Sequence, residues 1–179
     1  MANAYTQVYI QAVLAVRDKA CIISQVWRDE LYKYITGIVR NNGHKLLAIN
    51  GMPDHIHLLV RLRPIQSIAE LLHAVKTYSA KWINENWFVR GKFTWQPGYG
   101  AFSYSAAEAP NVINYINEQE ERHRGKTFME EYLELLQEFA IAYDERFLFK
   151  PVEIEYFPPE EANEAQKLKS GKFDGFWLK

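Results

Sequence analysis

The sequence contains one cysteine, Cys21, which excludes an internal disulfide and is too few for a zinc site built from cysteines. It also lacks any run approaching the roughly 18 to 20 apolar residues that a membrane-spanning helix needs. The apolar stretch at residues 9–16 is short, is interrupted by Gln11 and follows no basic leader, so it does not resemble a signal peptide. We therefore expect a cytoplasmic protein without a membrane segment.

An excess of one charge is lacking as well, because 21 Lys and Arg residues against 22 Asp and Glu residues give a net charge of −1. The distribution is nevertheless uneven. Residues 1–100 carry 12 basic and 6 acidic residues, whereas residues 101–179 carry 9 and 16. A basic first half would favour contacts with phosphates, although such asymmetry is also common in proteins that bind no nucleic acid.

The 179 residues suffice for one well-buried domain, and 48% hydrophobic with 15% aromatic content is typical of a globular chain. The composition changes at Pro151, after which paired prolines, a run of glutamates and lysine–glycine alternation follow. We therefore predict one domain over residues 1–150 and a C-terminal tail over residues 151–179.

Hydrophobic periodicity and capping signals predict alternating strands and helices. Ser24 and Gly43 bracket the first helix, and Ser67 with Glu70 forms a capping box at the start of the second. The order strand, helix, strand, strand, helix, strand predicts a ferredoxin-like sandwich, an α+β fold with an antiparallel sheet, helices packed on one face and added C-terminal helices. The predicted strands cover residues 5–16, 44–50, 55–62 and part of 93–105, the helices residues 26–41, 68–87, 110–122 and 127–139, and a short extended piece residues 143–149.

The most informative segment is Pro-Asp-His-Ile-His at residues 53–57. Because side chains of a strand alternate between its faces, His55 and His57 should point the same way while Ile56 enters the core. Their Cα atoms would lie about 6.5–7 Å apart, so both imidazoles could reach one cation at bonds of about 2.0–2.2 Å. A half-exposed strand with two polar positions is the simpler alternative, but two of only five histidines stand here. We predict a metal site.

Two histidines leave a coordination shell open, and the helix at residues 110–122 offers Tyr115 and Gln119, four positions apart on one helical face. Taken singly, a helical tyrosine more often packs against the core and a glutamine more often faces solvent. Tyr99 and Tyr104 compete as reactive tyrosines, but neither shares a helical face with a potential ligand. Tyr99, between two glycines, is typical of a loop residue that stacks on a base.

Three segments, in this order and spacing, resemble the single-tyrosine HUH transposases, the small transposases of insertion sequences and their relatives associated with repetitive extragenic palindromes. HUH denotes histidine, hydrophobic residue, histidine, which His55-Ile56-His57 matches within residues 52–60. The other two segments are Trp-Gln-Pro-Gly-Tyr-Gly-Ala-Phe-Ser at residues 95–103 and Tyr-Ile-Asn-Glu-Gln at residues 115–119. The resemblance covers about residues 5–150, although Gln11 stands where it leads us to expect histidine.

The resemblance implies a transposase in which His55, His57 and Gln119 hold one Mg²⁺ or Mn²⁺ and Tyr115 attacks a phosphate of single-stranded DNA beside a hairpin. The products would be a 5′-phosphotyrosine and a free 3′-hydroxyl, and a second strand end would then attack the linkage without hydrolysis. Such a cation would act as a Lewis acid and stabilise a phenolate whose ordinary pKa is about 10, and histidine ligands favour Mn²⁺. The resemblance also implies a homodimer, which would let Tyr115 act in trans.

Basic side chains, most of them in the first hundred residues, are candidates for contacts with DNA phosphates, although each is also compatible with an ordinary solvated charge. These candidates are Lys45, Arg61, Arg63, Lys76, Lys81, Arg90, Lys92, Arg122 and His123.

Two other functions stay open at this point. Phosphoesterases with paired histidine motifs need two such motifs, and this sequence has one. A domesticated relative that binds hairpin DNA or RNA on its sheet, without catalysis, is the stronger alternative. The presence of His55, His57, Tyr115 and Gln119 together favours an enzyme, because a binding module needs none of them.

Overall fold

A four-stranded antiparallel sheet forms the centre of the protein. The computed structural model describes residues 5–152, so the predicted tail lies outside the described residues from position 153 onward. The spatial strand order is β2-β3-β1-β4, and two helices connect the strands in the order β1-α1-β2-β3-α2-β4. The predicted ferredoxin-like α+β fold is confirmed. The strands are β1 (Val8–Ala15), β2 (Lys45–Met52), β3 (His55–Leu62) and β4 (Gly100–Tyr104).

Helices α1 (Gln25–Asn41) and α2 (Ile68–Glu85) cover one face of the sheet. The Ser24 side chain caps α1, Gly43 follows this helix at a φ of +82°, and the Ser67–Glu70 capping box starts α2. The main core lies between these helices and the sheet. Its sheet residues are the even-numbered ones of β1 and β3, Ala12, Leu14, Ile56, Leu58 and Val60.

The opposite face is covered by the C-terminal helices α3 (Ala109–Asn117) and α5 (Phe128–Glu138), with the single turn α4 (Gln119–Arg122) between them. Helix α5 packs Phe128, Tyr132, Leu135 and Leu136 against odd-numbered residues of β1 and against β4. Helix α3 packs on Leu59 of β3 and Ala48 of β2. His55 and His57, also odd-numbered, therefore lie between the sheet and these added helices.

The β2–β3 hairpin presents the histidines, and strand β2 requires a glycine close to the turn. A Cβ atom on Gly51 would lie 2.1 Å from the carbonyl oxygen of His55 and 2.7 Å from Cα of Ile56, so no larger residue fits without a backbone shift. The two strands pair with Met52 opposite His55 and Asn50 opposite His57. This register places both histidines at the turn end of the hairpin.

Two predicted elements were wrong in detail. Residues 110–122 are not one helix, because the backbone leaves the helical region at Glu118 (ψ +17°) and separates α3 from α4. Residues 143–149 are not extended, because the Asp144 side chain accepts a hydrogen bond from the backbone N–H of Arg146 and caps a 3₁₀ turn at Glu145–Phe147. Among residues 5–152, no helix has the length and apolar character needed to cross a membrane.

Candidate metal and catalytic site

The structure brings His55 and His57 together on one face of β3. Both side chains are fully buried, and their ring centroids lie 5.1 Å apart. Ile56 points into the main core on the other face. Phe128 of α5 stacks on the His55 ring at a centroid distance of 4.1 Å, so α5 covers the site on the side away from the sheet.

Tyr115 at the end of α3 and Gln119 at the start of α4 both reach this pair of histidines. Gln119 is fully buried, and its Oε1 lies 3.2 Å from Nε2 of His55. The ring of Tyr115 meets the ring of His57 edge-on at a centroid distance of 5.8 Å. The break between α3 and α4 lies between them, and the Asn50 side chain donates to the carbonyl of Asn117 at this break.

Glu131 of α5 stands at the centre of the site, and the sequence analysis did not identify it. Its Oε2 lies 3.2 Å from Nε2 of His57 and 3.4 Å from Nε2 of His55. Its Oε1 accepts hydrogen bonds from the Tyr115 hydroxyl and from the Gln119 amide, the latter at 2.8 Å. One buried carboxylate thus contacts all four of the predicted site residues.

A signal for Glu131 is present in the sequence of α5. The buried residues of this helix are 128, 131, 132, 135 and 136, the spacing of one helical face, and four of them are apolar or aromatic. Glu131 is the acidic residue within this stripe, and buried carboxylates are paired or bind metal ions. An acidic residue at a position of the apolar stripe therefore indicates that Glu131 is buried and paired or bound to a metal ion.

A second layer of hydrogen bonds orients the two histidines. The Asp54 carboxylate lies 2.7 Å from Nδ1 of His55, so this nitrogen carries a proton and Nε2 faces the site. Nδ1 of His57 lies 2.9 Å from the side-chain amide of Gln11, which in turn accepts a hydrogen bond from the Tyr104 hydroxyl at 2.9 Å. Gln11, the residue that departs from the resemblance, is fully buried and supports the second histidine.

Burial and pairing shift the pKa values of the site in different directions. Burial alone lowers the pKa of His55, but hydrogen bonds to Asp54 and Glu131 outweigh it and raise that pKa to about 9. Burial lowers the pKa of His57. Burial by itself raises the pKa of Glu131, but hydrogen bonds from the histidines hold it well below its ordinary value. Burial and the Glu131 carboxylate raise the pKa of Tyr115, which favours the protonated phenol.

The spacing of these atoms suits one divalent cation. The ligand atoms of His55, His57 and Glu131 all lie within 4.8 Å of one another. At metal–ligand bonds of about 2.1 Å, neighbouring ligand atoms are about 3.0 Å apart in an octahedral shell and about 3.4 Å apart in a tetrahedral one. The observed separations are of this size. The Nε2 atoms of His57 and His55 lie 3.2 and 3.4 Å from Glu131 Oε2, and Nε2 of His55 lies 3.2 Å from Gln119 Oε1.

Two of the predicted phosphate-binding residues occupy other roles. The ammonium group of Lys76 donates to the carbonyls of Gln96 and Gly98 at 2.6 and 2.8 Å, so its charge supports a loop. The His123 side chain is only 5% exposed and contacts Glu131 at 2.9 Å, so it belongs to the site rather than the surface. The remaining candidates are exposed: Lys45, Arg61, Arg63, Lys81, Arg90, Lys92 and Arg122.

The exposed Arg122 is the basic candidate that lies beside the site. Its guanidinium carbon lies 4.5 Å from the centroid of the Tyr115 ring, and the group also pairs with Glu118 at 3.6 Å. A cation over an aromatic face is an attractive arrangement. Arg122 thus opposes the effect of burial and Glu131 on the pKa of Tyr115.

Comparison with known proteins identifies the family. A sequence model described as "Transposase IS200 like" matches residues 4–119, which is more than half of the chain. The chain belongs to the IS200-like transposase family. The matched stretch contains His55, His57, Tyr115 and Gln119, whereas the residues that join them from α5 and the loop before it follow this stretch.

Members and structural neighbours of the family share moderate similarity with the chain. The ISDra2 transposase TnpA of Deinococcus radiodurans is 28% identical over an alignment of 102 residues that covers 52% of this chain and 71% of that protein. A crystallised candidate transposase from Deinococcus radiodurans R1 has a TM-score of 0.52 and 23% identity, over 66% of this chain and 96% of that one. A REP-associated tyrosine transposase bound to a REP hairpin has a TM-score of 0.52 and 13% identity, over 69% and 73% of the two chains. These two structures share the fold.

Proposed function

We propose that this IS200-like transposase cleaves and rejoins single-stranded DNA through Tyr115, with a divalent cation and next to a hairpin. The observation that carries the proposal is the convergence of the Tyr115 hydroxyl with His55, His57 and Gln119 around the Glu131 carboxylate. A hydroxyl at a buried cluster of imidazole, amide and carboxylate groups is the arrangement expected of a nucleophile in metal-assisted phosphoryl transfer.

The reaction would proceed in two balanced steps. The Tyr115 oxygen attacks phosphorus, the bond from phosphorus to the 3′-oxygen breaks, and the leaving oxygen takes a proton to become a free 3′-hydroxyl. A 3′-hydroxyl of another strand end then attacks the 5′-phosphotyrosine, forming a phosphodiester bond and returning the phenol. No water is consumed, so the number of phosphodiester bonds is conserved.

His55, His57, Gln119 and Glu131 would hold the cation, which we propose to be Mg²⁺ or Mn²⁺. Two imidazoles favour Mn²⁺, while the amide and carboxylate oxygens accept either ion. When bound, such a cation supplies Lewis-acid polarisation of a phosphate oxygen and stabilises negative charge on the tyrosine oxygen. The residues fit this role because their ligand atoms already lie at the separations of a coordination shell.

The chain's own groups control the proton of Tyr115. With Glu131 ionised and close by, the phenol stays protonated, because the pKa of Tyr115 is raised and that of Glu131 is lowered. Direct transfer of the proton to this carboxylate is therefore unfavourable in the structure as described. Arg122, which lies over the Tyr115 ring, has the opposite effect on the pKa of Tyr115, because its positive charge favours the phenolate.

We also propose that exposed basic side chains bind the DNA backbone. Lys45 and Arg61 are directly paired across β2 and β3, and Arg61 lies on the same strand face as His57, four residues further along. Neutralising phosphates at several such positions would make binding salt-dependent. A hairpin substrate is supported by the fold shared with the transposase that is bound to a REP hairpin.

A homodimer and a cytoplasmic location also belong to this proposal. Tyr115 lies beside His57 of its own chain, which supports a site completed in cis. In a dimer, exchange of α3 between the two copies would complete the same site in trans. Among residues 5–152, strands β2 and β4 are the edges of the sheet, and an edge strand can pair with a second copy. Light scattering at micromolar concentration tests the dimer, and a monomer would leave only the cis arrangement.

The decisive experiment compares Tyr115→Phe with the parent on a labelled single strand that carries a hairpin, with Mn²⁺ or Mg²⁺. The substitution removes one oxygen and leaves the ring packing intact, so fold and DNA affinity should survive while the covalent adduct disappears from denaturing gels. Tyr99→Phe is the matched control, because Tyr99 lies in an exposed loop. An adduct formed by Tyr115→Phe contradicts the assignment. A parent that binds hairpins but never cleaves them supports a non-catalytic binding module instead.

A further inference from the structure

His123 stands at the end of α4 and reaches the same carboxylate as His55 and His57. Its Nε2 lies 2.9 Å from Glu131 Oε2 and 3.2 Å from Gln119 Oε1. Its ring centroid is 4.8 Å from that of His55. Three imidazole Nε2 atoms therefore surround one carboxylate oxygen, at 2.9, 3.2 and 3.4 Å.

The hydrogen bonds of His123 determine which of its nitrogens is available. Nδ1 lies 2.8 Å from the carbonyl oxygen of Lys126, and a carbonyl only accepts, so Nδ1 carries a proton. In a neutral ring, the lone pair of Nε2 then faces Gln119 Oε1 and Glu131 Oε2, which have no proton to donate. Three electron-rich atoms at 2.9–3.2 Å repel one another unless a positive charge lies between them.

His55 has the same arrangement of hydrogen-bond partners. Its Nδ1 is held by the Asp54 carboxylate, and its Nε2 faces the same two oxygens at 3.2 and 3.4 Å. In a metal-binding histidine, one ring nitrogen usually donates to a backbone carbonyl or a carboxylate, and the other nitrogen faces the metal. His123 and His55 are thus built alike, although one is in a strand and the other ends a helical turn.

We propose that His123 is a third imidazole ligand of the cation, in addition to His55 and His57. Three imidazoles with one carboxylate make a nitrogen-rich site, which selects Mn²⁺ over Mg²⁺ because Mg²⁺ prefers oxygen ligands. The inference rests on the proposed function, since it adds a ligand to the cation site of that reaction. It also gives the loop from His123 to Lys126 a role in holding a ligand.

Pulsed electron paramagnetic resonance on the Mn²⁺-loaded full chain tests the proposal by counting the coordinated imidazole nitrogens. We expect three in the parent and two in His123→Asn. Asparagine is the sharper substitution, because its amide N–H can still donate to the Lys126 carbonyl while Nε2 is lost. His73→Asn is the matched control, since His73 is exposed on α2 and should leave the count at three.

Calorimetry supplies a second readout. In His123→Asn, Mn²⁺ affinity should fall by about tenfold or more and the preference for Mn²⁺ over Mg²⁺ should narrow. Two coordinated nitrogens in the parent, or an unchanged count in His123→Asn, would overturn the proposal and leave His123 as a hydrogen-bond partner of Glu131. Covalent DNA attachment is scored separately. If the parent shows two coordinated imidazole nitrogens and still forms the Tyr115 adduct, only the assignment of His123 as a ligand is contradicted. If it shows three coordinated nitrogens and forms no adduct, only the proposed reaction is contradicted.

Discussion

The hydroxyl of Tyr115 donates a hydrogen bond to the carboxylate of Glu131, which joins the predicted nucleophile to a helix outside the stretch matched by the family. The negative charge of Glu131 adds to burial in raising the pKa of Tyr115. The carboxylate therefore holds the tyrosine in place and at the same time keeps it protonated. In the described state the Tyr115 hydroxyl is positioned at the site, and its raised pKa favours the protonated form.

Replacing Glu131 with Gln should lower the pKa of Tyr115 in the metal-free protein, because the nearby negative charge is removed while burial persists. Tyrosine labelled with ¹³C at Cζ and titrated by nuclear magnetic resonance measures this directly. Glu134→Gln is the matched control, since Glu134 is an exposed residue of the same helix. An unchanged Tyr115 titration in Glu131→Gln would mean that burial alone sets this pKa.

Binding of Mn²⁺ should strengthen as the pH rises. In the metal-free protein the pKa of His55 is raised to about 9, so a cation at its Nε2 must displace a proton. Affinity should then increase by about tenfold per pH unit below about pH 9 and level off above it. Calorimetry in two buffers of different ionisation enthalpy counts the released proton.

The stability of the metal-free fold should depend on pH in the opposite direction to Mn²⁺ affinity. A raised histidine pKa stabilises the metal-free fold fully below the unfolded value of about 6.5, and this contribution is lost as the pH rises through 9. Asp54→Asn provides the control, because loss of the carboxylate beside Nδ1 lowers the pKa of His55 and should flatten both dependences. Metal affinity that is independent of pH in the parent would exclude His55 Nε2 as a ligand.

Gln11 should tune metal affinity through His57. As placed, its amide N–H donates to Nδ1 of His57 and orients the ring, and the proton of the neutral imidazole is then on Nε2, where a cation must displace it. Gln11→Glu would accept a hydrogen bond from Nδ1–H and leave Nε2 unprotonated, so Mn²⁺ affinity should rise. Gln11→Leu removes the hydrogen bond that orients the ring, so affinity should fall by about 10- to 100-fold. Opposite effects of the two substitutions, measured by calorimetry, are the expected signature. Changes in the same direction would show that Gln11 only fills space.

Gly51→Ala should destabilise the fold, because its Cβ atom would overlap the backbone of His55 in the hairpin that presents both histidines. We expect a loss of about 3 kcal/mol in the free energy of unfolding, measured with urea. Gly37→Ala is the control. Its Cβ would meet no atom within 4 Å inside α1, and alanine should stabilise that helix by about 0.5–1 kcal/mol. Equal stability of the two variants would contradict the close approach at Gly51.

The sequence by itself determined the features that depend on neighbouring residues. The alternation of β3 placed His55 and His57 on one face and Ile56 in the core, because the side-chain period of a strand is two. The Ser67–Glu70 capping box and Gly43 located helix ends, because these signals act within one turn. The order of strands and helices then allowed the ferredoxin-like fold to be predicted.

Only the tertiary structure decided what surrounds the two histidines. Glu131 lies 74 positions from His57 and Gln11 lies 46 positions from it, and no local pattern specifies which helix covers the second face of the sheet. His123 shows the same limit, because a histidine between two arginines is typical of a phosphate contact until the turn after α4 directs it inward. Strand period is a local property of the backbone, whereas a ligand shell is assembled by packing between distant elements.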